Sequence, residues 1–401
     1  MNRRILIALT LIFCASPTIA AAKPKKPKAP KHIVLIIGDG TGLAQWSAYN
    51  AKRTQGINDM DSAAVVFTDF PIIGFSLTSS ANDFITDSGA GATALSTGKK
   101  ANNYMIGMAA DSTKPITLSE IAHLQGKSTG IAVTCELTHA TPGSFFAHQP
   151  SRKLMNEIGS DFITGMSASS LYFSAHDLAE QQERAGQTDI GAQFVKKGSI
   201  DVALGGGRKY FDTNALKNNG YAIGTGYGAM KQLQNQSRRV VFYDDQPFPP
   251  KAHEGRNKEG MYLADASESV LKTMFLNPKG SFTMIEGSQV DWAGHETDST
   301  YLMAEMEDFD MAIRRVVAMA KADKNTLVIV TADHETGGLS LVGWDKQRKQ
   351  PAMHFSTDHH TGIPVPVFAY GPGAEAFAGA YQNTEIYDKI RFLLEQAGEK
   401  K

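Results

Sequence analysis

Apolar runs of strand length alternate with helical patterns along most of this 401-residue chain. Several runs are apolar throughout, which is typical of parallel strands that helices cover on both faces. The candidate strands are 32–37, 74–77, 131–134, 201–204, 282–285, 327–331 and 365–370. We therefore predict an α/β fold, a three-layer sandwich with a central, mostly parallel sheet flanked by helices.

The first 31 residues differ from this alternation. Residues 1–22 combine Arg3 and Arg4 with an apolar run and a small-residue region, the pattern of a signal peptide. The apolar run is too short for a resident membrane helix. Residues 23–31 are a Lys/Pro-rich linker, and 32–401 are predicted to form a single domain with a candidate surface excursion around 206–260. The sequence thus predicts a periplasmic or secreted protein with no resident membrane segment.

Charge and cysteine content narrow the function classes. Lys and Arg number 40 against 41 Asp and Glu, so no basic field exists that would favour nucleic-acid binding. Of the two cysteines, only Cys135 would remain after signal removal. The exported protein would therefore have no intrachain disulfide.

A run of small residues, TDSGAGATALSTG, begins at Thr86 and places Ser88 beside a carboxylate. If Ser88 opens a helix, free backbone N–H groups and the positive end of the helix dipole point at whatever the serine attacks. That arrangement suits a dianionic substrate such as a phosphate ester. Taken alone, the run fits a glycine-serine turn before an ordinary buried helix better, so other residues must decide.

Carboxylates and imidazoles directly follow three of the candidate strands. Open α/β sheets bind their ligands at the carboxyl ends of the strands, so these residues are candidate ligands. These residues are Asp39, Glu286, Asp291, His295, Asp333 and His334. The i, i+4 spacing of Asp291 and His295 places both on one helical face, ready to share a metal ion. The pair His359-His360 is also well placed to ligate. Nitrogen and oxygen ligands without thiolate suit zinc, whereas an oxygen-only set suits magnesium.

In their order along the chain, these motifs resemble those of the alkaline phosphatases. The matching segments are 36–40, 86–94, 285–287, Asp291 with His295, 331–334 and 360–362. The resemblance spans nearly the whole mature chain and implies an alkaline-phosphatase-like α/β sandwich. It implies metal-dependent hydrolysis of phosphate monoesters through a phosphoserine intermediate on Ser88, with release of inorganic phosphate and an alcohol.

The resemblance also implies roles for individual residues and three metal ions as cofactors. Ser88 would be the catalytic nucleophile, and Arg152 would bind two phosphoryl oxygens through its planar guanidinium. Two Zn²⁺ ions ~4 Å apart would activate the serine and stabilise the leaving group. Each would have three protein ligands: Asp39, Asp333 and His334 for one, and Asp291, His295 and His360 for the other. Mg²⁺ would be bound by Glu286 and Thr141, with Asp39 shared.

Two positions on the substrate-binding side depart from the best-known bacterial pattern of the family. His139 stands two residues before Thr141, where many members have aspartate, and Trp292 stands where they have lysine. A histidine there should weaken Mg²⁺ binding and favour a softer ion at the third site. A lysine contact to the phosphate through water is also lost.

Two other functions stay open. A phosphodiesterase of the same superfamily would keep the two-metal core, commonly with threonine as the nucleophile and no third site. A non-catalytic periplasmic protein that binds phosphate or metal would not need Ser88. The combination of Ser88, Arg152 and Glu286 favours the monoesterase, with small phosphorylated substrates as partners. A homodimer, which the resemblance implies because dimers are common in the family, is also left open, although the chain lacks room for the large insertions that some relatives use at an interface.

Overall fold

The structure is a computed structural model, and it describes residues 29–56, 59–165 and 198–396. The predicted signal peptide and residues 23–28 of the linker lie outside this part of the chain. None of the helices in the described ranges has the length and apolar character needed to cross a membrane.

The strands of the described residues include ten that pair into one central sheet. In chain order the strands are β1 (His32–Gly38), β2 (Ile72–Leu77), β3 (Ser128–Glu136), β4 (Val202–Gly206), β5 (Ala222–Thr225), β6 (Arg239–Phe242), β7 (Ser281–Gly287), β8 (Thr326–Thr331), β9 (Glu335–Thr336), β10 (Leu339–Asp345), β11 (Gln350–Phe355), β12 (His360–Thr361), β13 (Val365–Tyr370) and β14 (Gly379–Gln382). The sheet order is β14-β2-β13-β8-β1-β7-β3-β4-β6-β5, and β13 alone among these ten runs antiparallel to its neighbours. The pairs β10–β11 and β9–β12 form two small separate sheets.

The α-helices of the same residues lie on both faces of the sheet. They are α1 (Leu43–Arg53), α2 (Val65–Thr68), α3 (Ser88–Thr97), α4 (Leu118–Leu124), α5 (Ala140–Gly143), α6 (Met155–Thr164), α7 (Thr213–Asn218), α8 (Tyr227–Gln232), α9 (Tyr262–Met274), α10 (Gln289–His295), α11 (Ser299–Asp323) and α12 (Thr384–Gln396).

Strand β1 shows why the fold has three layers. Ile33, Leu35 and Ile37 belong to one apolar core, which also contains side chains of α3, α4 and α12. Val34 and Ile36 point to the opposite core, which contains side chains of α1, α9 and α11. Because alternate residues of a strand face opposite sides, a strand between two cores must be apolar throughout. The predicted three-layer α/β sandwich is confirmed.

All seven candidate strands belong to the central sheet, and the candidate terminal helix is α12. The capping box at the start of α4 is present too: Thr117 N–H donates to Glu120 Oε2 at 2.8 Å, and Glu120 N–H donates to Thr117 Oγ1 at 3.2 Å. The strands not predicted in the sheet are β5, β6 and β14, which are only four residues long. The segment 206–260 supplies β5 and β6.

Strand register brings the candidate ligands to one edge of the sheet. In the parallel pairs of β1, Gly38 is opposite Gly287 and Ile37 is opposite Thr331. Asp39 and Asp333 therefore leave the sheet at nearly the same level. This is the carboxyl edge, where open α/β sheets place their ligands.

A buried ion cluster attaches the segment before α9 to α11. Arg256 Nη2 contacts Glu305 and lies 3.0 Å from Asp308 Oδ2, while Nη1 donates to Pro250 O at 3.0 Å. The guanidinium and both carboxylates are almost completely buried. Each charge therefore depends on the others for compensation.

We predict that Arg256→Ala lowers the free energy of unfolding by about 3–5 kcal/mol, because it leaves two buried carboxylates without their cation. Urea unfolding measures the effect. The matched control is Arg315→Ala, which removes a half-exposed arginine paired with Asp265 and Glu268 and should cost no more than about 1 kcal/mol. Equal losses in the two variants would contradict the prediction.

Candidate active site

Ser88 is the first residue of α3 and is 2% exposed. The helix cap is Asp87, whose carboxylate accepts a hydrogen bond from Ala90 N–H at 2.9 Å. Ser88 Oγ lies 3.2 Å from His334 Nε2. The small residues of the run permit this approach, because a Cβ on Gly91 would lie 3.0 Å from the carbonyl oxygen of Asp333. The run is thus a helix start packed directly against the candidate ligand loop.

Asp39, Asp333 and His334 form a fully buried cluster whose ligand atoms lie within 4.8 Å of one another. His334 Nε2 is 3.3 Å from Asp39 Oδ1 and 3.4 Å from Asp333 Oδ2. Three buried carboxylate oxygens accept no hydrogen bond within the described residues: both oxygens of Asp39 and Oδ2 of Asp333. Buried carboxylate oxygens need a partner, and a cation shared by the three side chains would be one.

Asp291, His295 and His360 form the second cluster. Both histidine Nε2 atoms lie 3.4 Å from Asp291 Oδ1, and they are 3.1 Å from each other. Nδ1 of His295 is 2.6 Å from the carbonyl oxygen of Asp358, and Nδ1 of His360 is 2.8 Å from that of Thr86. A carbonyl only accepts, so Nδ1 of each neutral ring carries the proton and Nε2 presents a lone pair. This is the arrangement of metal-ligating histidines.

The two clusters are parts of one site, since the rings of His334 and His360 stack with their centroids 3.6 Å apart. Burial raises the pKa of Asp333 to about 7, and the charge of Asp291 adds to this effect. Burial likewise raises the pKa of Asp39 well above its usual range, with the charge of Asp333 as the next cause. Divalent cations would offset the repulsion between these buried carboxylates. The mixed nitrogen and oxygen donors fit zinc.

Glu286, at the end of β7, is fully buried, and its charge contributes to the raised pKa of Asp39. Burial raises the pKa of Glu286 itself to about 8. Thr141 in α5 is fully buried as well. Cys135, which no sequence motif places here, is also close: its Sγ lies 3.5 Å from Glu286 Oε2.

His139 and Trp292, both predicted on the substrate-binding side, lie side by side with their ring centroids 5.9 Å apart. Trp292 also packs against Phe248, at 4.9 Å. Burial, together with the charge of Arg152, lowers the pKa of His139 to about 3. The imidazole of His139 is therefore neutral at neutral pH.

Arg152 is held near the start of α3 by Asp87 and His139, and Tyr104, which sequence reasoning did not single out, adds further contacts. Its Nη1 donates to Asp87 Oδ2 at 3.0 Å, and its Nη2 lies 3.3 Å from His139 Nε2. Tyr104 links the same groups: its N–H donates to Asp87 Oδ1 at 3.0 Å, and its carbonyl accepts from Arg152 N–H at 2.7 Å. Tyr104 has a φ of 75°, a conformation that non-glycine residues adopt only when contacts hold them there. Asp87 directly precedes Ser88 in the sequence, and this position was the one feature that could have indicated its role at the site.

Known proteins resemble this chain over nearly its whole length. The family model described as alkaline phosphatase matches residues 30–246, 230–350 and 342–396. Alkaline phosphatase 3 of Bacillus subtilis is 30% identical, with 96% of this chain and 94% of the relative covered. The solved structure of alkaline phosphatase from the Antarctic bacterium TAB5 is 35% identical in sequence, with a TM-score of 0.75 and coverage of 92% of this chain and 99% of that one.

A variant of the TAB5 enzyme, in which glutamate replaces one histidine, has magnesium bound in the site called M3. It is 34% identical to this chain with a TM-score of 0.74, over 92% of this chain and 99% of that one. The expected family and the alkaline-phosphatase-like fold are thus confirmed, and divalent metal binding is the property this family implies. The chain belongs to the alkaline phosphatase family of hydrolases.

Proposed function

We propose that this chain hydrolyses phosphate monoesters through a phosphoserine intermediate on Ser88 and releases inorganic phosphate and an alcohol. The observation that carries the proposal is the position of Ser88 Oγ, at a helix start and 3.2 Å from a histidine of the Asp39 cluster. A helix start favours a phosphate dianion, because its free N–H groups and dipole are positive.

The protein's own groups bind and orient the phosphoryl group. Arg152 is held by Asp87 at the edge of the site, where its guanidinium can donate to two phosphoryl oxygens. Ser88 Oγ loses its proton and attacks phosphorus, a new O–P bond forms, the bond from phosphorus to the alcohol oxygen breaks, and that oxygen takes up a proton as the alcohol leaves. Water then forms a bond to phosphorus as the serine O–P bond breaks, and one water proton goes to Ser88 Oγ, which restores the hydroxyl and releases inorganic phosphate.

Asp39, Asp333 and His334 would hold one Zn²⁺, and Asp291, His295 and His360 a second. When bound, the two ions would stabilise charge on the attacking and leaving oxygens of an in-line displacement. Glu286 and Thr141, with Asp39 shared, would hold the third ion. A TAB5 variant in which glutamate replaces one histidine has magnesium bound in its M3 site. Because Mg²⁺ prefers oxygen ligands, we propose that neutral His139 disfavours Mg²⁺ at the third site of this chain.

Three further parts of the proposal come from the sequence. Residues 1–22 would direct export to the periplasm or medium, residues 32–401 would act as one catalytic domain, and a homodimer stays a prediction. Two alternatives also remain: a phosphodiesterase of the same superfamily and a non-catalytic phosphate- or metal-binding protein.

The test is hydrolysis of p-nitrophenyl phosphate and of bis-p-nitrophenyl phosphate by the purified mature protein with Zn²⁺ and Mg²⁺. We expect the monoester to be cleaved far faster than the diester, and chelation to abolish the rate. A preference for the diester would replace the proposal with a phosphodiesterase, and no turnover of either ester would replace it with a binding protein.

We predict that Arg152→Lys lowers kcat/KM for phosphate monoesters by about 10²-fold, because an ammonium cannot donate to two oxygens in a planar fork. Steady-state kinetics with p-nitrophenyl phosphate measure this loss. Lys153→Ala removes an exposed neighbouring cation and serves as the control that should keep wild-type rates. Equal rates for Arg152→Lys and wild type would refute the phosphate-binding role.

A further inference from the structure

Thr336 lies between the two candidate metal clusters and contacts a ligand of each. Its Oγ1 is 2.5 Å from Asp291 Oδ1, in the second cluster. The same oxygen is 3.2 Å from Nδ1 of His334, in the first cluster. Thr336 is completely buried, so both contacts lie away from bulk solvent.

The single hydroxyl proton of Thr336 determines how both contacts work. A carboxylate only accepts, so the hydroxyl donates its proton to Asp291. The lone pairs of Thr336 Oγ1 are then left for His334, and His334 Nδ1–H must be the donor. This fixes the tautomer of His334 and directs the unprotonated Nε2 toward Asp39, Asp333 and Ser88.

The backbone of Thr336 contacts the segments that carry Asp39 and His360. Its N–H donates to Gly40 O at 3.1 Å, next to Asp39. In the β9–β12 pair it lies opposite His360, and its carbonyl accepts from Gln45 Nε2 at 2.8 Å. A shift of Thr336 would therefore move the loops that carry ligands of both clusters.

We propose that Thr336 is a positioning residue that couples the two metal clusters, so that one hydroxyl orients a ligand of each ion. The proposal rests on the two-metal site of the proposed function and deepens it. Partners of this kind beyond the ligands themselves typically change metal affinity by about 10–100-fold. The effect should reach both ions, because the hydroxyl contacts one ligand in each cluster.

The experiment compares Thr336→Val, Thr336→Ser and wild type as full mature chains. Zn²⁺ is titrated into each metal-free protein by calorimetry, and Co²⁺ is added separately to record the absorption bands of the bound ion. We expect Thr336→Val, which keeps the shape but loses the hydroxyl, to bind both ions about 10–100-fold more weakly, with altered Co²⁺ bands. Thr336→Ser should bind both within about threefold of wild type, since it keeps the donor and the acceptor.

The matched control is Thr283→Val. Thr283 is a buried threonine of β7 whose hydroxyl has no hydrogen-bond partner within the described residues. This variant should bind both ions as wild type does, and circular dichroism checks that all variants are folded. If Thr336→Val does not fold, failure of Thr336→Ser to keep both affinities overturns the proposal.

Wild-type affinity for either ion in a folded Thr336→Val protein also overturns the coupling, while leaving the proposed function intact. If wild type itself binds fewer than two Zn²⁺ ions, the two-metal function fails and the coupling fails with it.

Discussion

Ser88→Ala is expected to reduce kcat for phosphate monoesters by at least about 10⁴-fold, because the attacking oxygen is lost while the metal ligands and Arg152 remain. The variant should keep its fold. The cap of α3 is the Asp87 side chain and not Ser88, and alanine is compatible with a helix. Zn²⁺ binding should likewise persist, since the carboxylate and imidazole groups of both clusters are unchanged.

Two measurements check this result. Steady-state kinetics with p-nitrophenyl phosphate give kcat, and mass spectrometry after an acid quench detects phosphoserine at residue 88 in wild type and not in the variant. The matched control is Ser96→Ala, on the same helix, whose hydroxyl donates to Ser144 O at 2.6 Å. This control should lose some stability and keep its rate. A phosphorylated Ser88→Ala protein would identify another nucleophile.

Removing the divalent cations is expected to destabilise the protein strongly, and more at pH 9 than at pH 6. Binding to the folded state alone stabilises by about 4 kcal/mol when free metal is 1,000-fold above Kd. Without metal, Glu286, Asp333 and Asp39 are crowded carboxylates with raised pKa values. The hydrogen bond with Asp291 raises the pKa of His295 to about 9.

These pKa shifts determine how the stability of the metal-free protein changes with pH. Ordinary values are about 4 for the carboxyls and about 6.5 for histidine, so between pH 6 and pH 9 these four side chains bind more protons in the folded metal-free protein than in the unfolded chain. Their contribution to stability therefore falls as pH rises through about 7 to 9, where Asp333, Glu286 and His295 lose their protons. Metal binding requires the same deprotonated groups, so the stabilisation by Zn²⁺ should increase over this range.

Differential scanning calorimetry of chelated and Zn²⁺-loaded protein at pH 6 and pH 9 measures the effect. We expect the difference in Tm between the two forms to be larger at pH 9. Asp333→Asn removes one of the titrating ligands and should reduce both the gain from Zn²⁺ and its pH dependence. A Tm difference that stays constant or shrinks toward pH 9 would contradict the assignment of these side chains as ligands.

The sequence predicted those parts of the fold and site that depend on local pattern. Strands β1 and β8 could be predicted because burial on two faces requires apolar residues at every position. Asp39 and Asp333 could be predicted as ligands because they lie just after the ends of those strands. The start of α3 at Ser88 was suggested by the small residues, although the reason for them, the close approach of the Asp333 loop, appears only in the structure.

Other parts depend on contacts between distant residues and leave no local signal. Thr336 reads as an ordinary threonine in a turn, and only the fold brings it to Asp291, 45 residues away. Phe248 reaches Trp292 in the same way. Strands β5, β6 and β14 were missed because four residues are too few to show a period, and two of these strands are partly exposed.

The position of β1 has a consequence for the order in which the protein folds. It is the first strand of the residues that the structure describes, but its two neighbours begin at Ser281 and Thr326. Contacts between such distant segments form slowly, because a long loop must close before any pairing energy is gained. The centre of the sheet, and with it the candidate metal site, therefore cannot assemble until most of the chain has been synthesised. A nascent chain thus carries Asp39 without its partners until Asp333 and His334 have been added.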